Sequence, residues 1–212
     1  KFWKDEISEK EFLEITDKLL ITQWKIQKDS GITKQIVGDF SFYDQILETV
    51  CYLGIPLKRF GLVNNDNLSH YFKAARGGDV EGIKQPPLEM TKWFDTNYHY
   101  LVPEIDWEKD FNPNISRIKH ELRLANENNI KTIVKIQGPA TLLKLSREGE
   151  IDNSKKEKIE GTYLKFFQLI QEEGVESVMI DEGALGIGAS YVSDSLFQLL
   201  KNITNKTNLK IY

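Results

Sequence analysis

The sequence predicts an α/β fold made of parallel βαβ units, and three observations carry that expectation. Short apolar runs alternate with helical stretches of 12 or more residues, several runs end in polar residues, and glycines stand where helical patterns stop. The first helix opens at Ser8 and Glu11, an S-x-x-E capping box. Phe12, Ile15, Leu19 and Ile26 then recur at helical spacing until Gly31 stops the run, which makes a long first helix. "KQIVGDFSFYD" reads as a strand ending at Gly38-Asp39, and Asp44 opens a second helix through "QILETVCYLG". From Ile55 to Pro87 the chain is rich in Gly, Asn and Pro and reads as an elaborated loop, with "YFKAARGG" its one short helix.

The same grammar continues in the second half. "NISRIKHELRLANENNI" is an amphipathic helix with Ile115, Ile118, Leu122 and Ala125 on one face, followed by the strand "KTIVKIQ", which ends at Gly138-Pro139. A helix closed by Gly174, the strand "VESVMID", a helix within "SYVSDSLFQLLKNIT" and a final strand "LKIY" complete the series. Asp39, Gln137, Asp181 and Glu182 fall at carboxyl ends of strands, the side on which a TIM-type barrel builds its sites. About five strands are expected, fewer than the eight that close such a barrel, which leaves either a barrel present in part or an open sheet. The chain is expected to form one core over residues 1–212. Its first residue, a lysine, and its last run, "NLKIY", read as cuts within something longer.

Composition narrows the function. With 28 basic and 32 acidic side chains the net charge is -4, so no global positive field for nucleic acid exists. No apolar run approaches the roughly 20 residues that span a bilayer, and the amino end lacks a signal-peptide core. One cysteine, Cys51, permits neither an internal disulfide nor a cysteine-built zinc site, which points to a reducing, cytoplasmic setting.

The densest candidate for function is "EMTKWFDTNYHYLVPE", Glu89 to Glu104, where Trp93, Phe94, Tyr98 and Tyr100 surround Lys92 and Asn97. Together with "VGDFSFYDQILETV", "YFKAARGG", "IQGPATLL" and "VMIDEGAL", in this order and approximate spacing, it resembles the amino-terminal domain of cobalamin-independent methionine synthases. The resemblance runs from about Glu6 to Tyr212. It implies a TIM-type (β/α)8 barrel, incomplete in this chain, that helps to bind the polyglutamate tail of 5-methyltetrahydropteroyltri-L-glutamate for methyl transfer to homocysteine. It further implies that zinc belongs to a carboxyl-terminal catalytic barrel, absent here and supplied in cis or as a separate subunit, and that this chain alone is inactive. A stand-alone, non-catalytic relative acting with a separate catalytic subunit is the alternative. On the matching positions, Lys92 and Asn97 are the implied tail contacts: a lysine can meet a carboxylate through a charge-assisted hydrogen bond, and an asparagine amide can donate without adding charge.

Other polar residues read more plainly. The aromatics of the stretch are expected to pack the loop onto the core. His70, His99 and His120 lack the spacing of helical zinc pairs and are expected to be structural. Asp181 and Glu182 look like an acid/base pair, yet are expected to orient loops by hydrogen bonding. Arg76 is expected to pair with a carboxylate such as Asp79, and Lys155, Lys156 and Lys158 to form a solvated face.

Overall fold

The computed structural model describes residues 1–212 apart from Asp5, Glu150 and 188–191. After a short 3-10 turn at Phe2–Lys4, helix α1 runs Glu9–Asp29, with the Ser8 hydroxyl accepting from the Glu11 N–H at 3.2 Å, the serine half of the expected box. Its buried stripe is Thr16, Leu20 and Trp24, while Ile15 (50%), Leu19 (45%) and Ile26 (61%) face outward. Of the four apolar residues of the expected pattern, Phe12 packs against the core, and the other three do not. Periodicity marks a helix but does not choose between two neighbouring stripes, and the largest side chain decides: Trp24 is buried, and its indole N–H donates to the Ile36 carbonyl at 2.9 Å.

Strand β1 (Gln35–Val37) leads through Asp44, whose carboxylate accepts from the Leu47 N–H at 2.9 Å, into α2 (Gln45–Tyr52). The region expected to be loop is more ordered. Helix α3 (Leu68–Arg76) is followed by a hairpin, β2 (Gly78–Val80) with β3 (Ile83–Gln85). Asp79 serves that hairpin's turn by accepting from the Gly82 N–H at 2.9 Å, and the Arg76 guanidinium lies 4.7 Å from the Trp3 ring, so the expected Arg76–Asp79 pairing gives way to a cation–π contact.

A second hairpin, β4 (Met90–Lys92) with β5 (His99–Leu101), precedes α4 (Ser116–Glu127), β6 (Thr132–Gln137), α5 (Pro139–Leu145), α6 (Asn153–Glu172), β7 (Ser177–Asp181), a 3-10 turn at Gly183–Ile187, α7 (Asp194–Asn205) and β8 (Lys210–Ile211). The expected last helix was read from Ser190; Ser190 and Tyr191 lie outside the described residues, and α7 starts after Ser193. Strands β1, β6, β7 and β8 form one parallel sheet in that order, with Ile36 beside Ile133, Gln137 beside Asp181 and Val178 beside Ile211. The class is therefore α/β with a parallel sheet, of four strands where about five were expected. Among the described residues it is open, with β1 and β8 as edges, and the barrel is not closed.

Buried charge ties the helices to the strand ends. On α4, Arg117 and Glu121 are buried while Leu122 is half-buried. Arg117 Nε donates to Glu121 at 3.0 Å, and Glu121 accepts from the Gly38 N–H at 2.9 Å. Burial raises the Glu121 pKa, and Arg117 opposes the rise. His120 Nε2 lies 2.9 Å from Asp17 of α1, and its Nδ1 faces Arg123 Nη2 at 3.1 Å. A guanidinium only donates, so Nδ1 accepts and Nε2–H donates to Asp17, which gives His120 the expected structural role. Lys158, expected on a solvated face, instead donates to the carbonyls of Trp107 (2.8 Å) and Lys109 (2.5 Å) and sits over the Phe111 ring, fastening the loop before α4. No described helix is long and apolar enough to cross a membrane.

Candidate functional site

The stretch from Glu89 to Glu104 forms the β4–β5 hairpin and its flanks. Thr91 pairs with Tyr100 and Lys92 with His99. The connection is closed by Trp93 N–H to Tyr98 O at 2.7 Å and by the N–H and hydroxyl of Thr96 on the Trp93 carbonyl, with Phe94 at φ +50°. Both flanks are clamped by arginines: Arg147 meets Glu89 at 2.6 Å, and Arg59 meets Glu104 through Nε at 2.7 Å and Nη2 at 2.5 Å. Arg59 also donates to the Pro86 and Pro87 carbonyls. This two-pronged guanidinium–carboxylate geometry fixes direction as well as distance.

Because side chains alternate across a strand, the hairpin has two faces. One carries Thr91, Trp93, Tyr98 and Tyr100. The Trp93 ring meets those of Tyr98 and Tyr100, each at 5.9 Å, and the buried Tyr100 hydroxyl donates to the Leu145 carbonyl at 2.8 Å. Trp93 also rests on Gly183, where an added Cβ would meet its ring at 3.3 Å. Burial, with the neighbouring Asp44 charge, raises the Tyr98 pKa. The aromatics thus seat the hairpin on the loop after β7. The other face presents Lys92 and His99, both exposed, and Asn97 is exposed at the tip, its carbonyl 3.0 Å from His99 Nδ1. Lys92 and Asn97 are therefore on one anchored hairpin, where the sequence suggests a rigid loop.

At the carboxyl ends of the strands, Asp181 forms an ion pair with Lys135 at 2.9 Å and accepts from Gln137 Nε2 at 3.2 Å. Glu182 accepts from the N–H groups of Ala140 (3.1 Å) and Thr141 (2.5 Å) and from the Thr141 hydroxyl, which in turn accepts from the Ala184 N–H at 3.0 Å. Its carboxylate lies so close over Gly138 that a Cβ there would fall 2.2 Å from Oε2. Burial raises the Glu182 pKa, and the Thr141 and Ala140 hydrogen bonds oppose it. Asp39 is likewise raised by burial and opposed by Lys135. Each of the two adjacent carboxylates is committed to different partners, Asp181 to Lys135 and Gln137 of β6 and Glu182 to Ala140 and Thr141 of α5, so they do not form a free acid/base pair.

Among the described residues no three His, Cys, Asp or Glu side chains are grouped to hold a metal ion. Cys51 is buried, and burial pushes its thiol well above the usual range, with Glu48 adding to the rise. A cysteine ligates zinc as the thiolate, the form that burial disfavours at Cys51. What sequence reasoning missed was the seat: the Trp93–Gly183 contact and the Glu182 bridge join segments over 40 residues apart, and no local pattern signals them.

Comparison with known proteins matches residues 1–212 to the family described as cobalamin-independent synthase, N-terminal domain. The chain is similar to 5-methyltetrahydropteroyltriglutamate–homocysteine methyltransferases: 37% identical over 187 residues to that of Coxiella burnetii (87% of this chain, 24% of the relative), 38% over 191 to that of Pasteurella multocida (88% and 25%), and 32% over 209 to that of Flavobacterium johnsoniae (96% and 27%). The chain spans about a quarter of the length of these curated relatives. With the match covering every residue, the chain belongs to the amino-terminal domain family of the cobalamin-independent methionine synthases.

Proposed function

We propose that this chain serves as the amino-terminal, folate-tail-binding domain of a cobalamin-independent methionine synthase, which moves a methyl group from 5-methyltetrahydropteroyltriglutamate to homocysteine. The observation that carries the reading is the anchored hairpin, which holds Lys92 and Asn97 outward on one rigid element. A triglutamate tail presents several carboxylates, Lys92 supplies a compact cation for one of them, and the Asn97 amide adds an uncharged donor. The clamped flanks and aromatic seat mean that little ordering remains to be done when the tail arrives.

In the longer enzyme, further βα units continue from the open edges β1 and β8 toward a TIM-type (β/α)8 barrel, a reading supported by relatives about four times as long as this chain. Among the described residues no group of side chains suits zinc, and the metal and the reacting thiol are assigned to a carboxyl-terminal catalytic barrel in cis. This chain positions and does not react.

Calorimetric titration of the full chain with triglutamyl and monoglutamyl 5-methyltetrahydrofolate tests the reading. The triglutamate form should bind more tightly, and Lys92→Ala should reduce that preference by about three- to fivefold, the size of one exposed ionic contact. Equal affinities for the two forms, or a preference untouched by the substitution, would refute it.

A further inference from the structure

Three of the segments that the sequence singles out close on one another in space. Glu182 accepts from the N–H groups of Ala140 and Thr141 in the first turn of α5, and the Thr141 hydroxyl ties the same carboxylate to the Ala184 N–H. The start of α5 is thereby bolted to the turn that carries Gly183, with a carboxylate where a helix start favours one. At the far end of α5, Leu145 carries one of the last carbonyls, which no following helical turn bonds, and the buried Tyr100 hydroxyl donates to it at 2.8 Å. Trp93 completes a ring of contacts: its side chain meets the Tyr100 ring at 5.9 Å and rests on Gly183. Lys92 and Asn97 stand on the hairpin that this ring holds.

We propose that Glu182 and Tyr100 are positioning residues for the tail site, acting through α5 and the Gly183 turn on the hairpin and not on the tail itself. The inference rests on the reading of the hairpin as a tail site. The arginine clamps at Glu89 and Glu104 hold the flanks, outside the paired residues, whereas Tyr100 is paired with Thr91 inside the hairpin. Asn97 has a short side chain, so its amide goes where the backbone of the tip goes. A hairpin free to rock would present Asn97 and Lys92 to the tail together for only part of the time, and binding would then carry an ordering cost that the ring removes.

The test measures the ratio of monoglutamyl to triglutamyl dissociation constants for the full chain, in the unsubstituted protein and in a Lys92→Ala/Asn97→Ala background that lacks both tail contacts. Tyr100→Phe keeps the ring and removes only the hydroxyl, while Glu182→Gln sets an NH2 against the N–H groups of α5. Each should lower the ratio by about two- to fivefold in the unsubstituted protein, a loss bounded by the exposed ionic contact it misplaces. Neither should change it in the background, because residues that act through one another do not add. A merely structural role would weaken both ligands alike and leave the ratio where it was. Tyr100→Phe deletes a single hydroxyl and folds, so it decides the matter even where Glu182→Gln does not fold. A ratio that Lys92→Ala lowers and Tyr100→Phe leaves unchanged overturns the positioning role while the tail site stands, as does an equal fall in both backgrounds. No tail preference in the unsubstituted protein overturns both.

Discussion

Glu48 offers the sharpest test of how the interior is built. It is fully buried on α2, where it accepts from the Phe42 N–H at 2.9 Å and from Asn65 Nδ2 at 2.7 Å. Burial raises its pKa from 4.5 to about 7, and the Asn65 and Phe42 hydrogen bonds only partly offset that rise. The folded protein therefore keeps a proton on Glu48 in the window from 4.5 to about 7, where the unfolded chain has released it. Stability from this group is fully present below 4.5, falls as pH rises through the window, and levels off above about 7. At about 1.4 kcal/mol per pH unit the loss is about 3 kcal/mol, most of it between pH 5 and 8. Glu48→Gln holds the site neutral at every pH, and the Asn65 amide can turn to present an acceptor to the new NH2. Urea unfolding of both proteins at pH 5 and pH 8 should show the unsubstituted chain losing about 2–3 kcal/mol more than the variant. Asp44, raised to about 6, and Glu121, Asp39 and Glu182, also raised, push the same way but are common to both proteins. Equal losses in the two proteins would refute the assignment of this pH dependence to Glu48.

Three further substitutions probe the scaffold. Gly54 has φ +57°, and an added Cβ would lie 1.7 Å from the Asn112 carbonyl oxygen, so Gly54→Ala should cost at least about 3 kcal/mol, seen as a melting point lower by about 10 °C. Thr141→Val removes the hydroxyl that joins Glu182 to the Ala184 N–H; it should cost about 2 kcal/mol, and more at pH 8 than at pH 5, because a carboxylate with fewer donors resists ionising. Gly183→Ala crowds the Trp93 ring and should cost about 1 kcal/mol, with a shift in tryptophan emission and faster amide exchange in the hairpin; unchanged emission would argue against the seat.

Local chemistry was read correctly wherever it is self-contained. Asp44 and Ser8 cap the helices they precede, and Gly174, at φ +79°, follows the end of α6. These devices act over three or four residues, within the reach of a sequence pattern. The β2–β3 hairpin was not legible because its strands are three residues each, too short for an alternation to register. The Lys158 clamp was hidden for the opposite reason: its partners lie about 50 residues away.

The sequence by itself determined the succession of strands and helices, the family, and the segment that carries Lys92 and Asn97, because periodicity, caps and motif order are properties of neighbours along the chain. The tertiary structure alone decided which stripe of α1 is buried, that Asp181 and Glu182 part to separate partners, and that Lys92 stands beside His99 on a hairpin seated against Gly183. Those outcomes depend on which distant surfaces meet. Burial and a well-aimed partner set the state of a polar group, and neither is written in its neighbours.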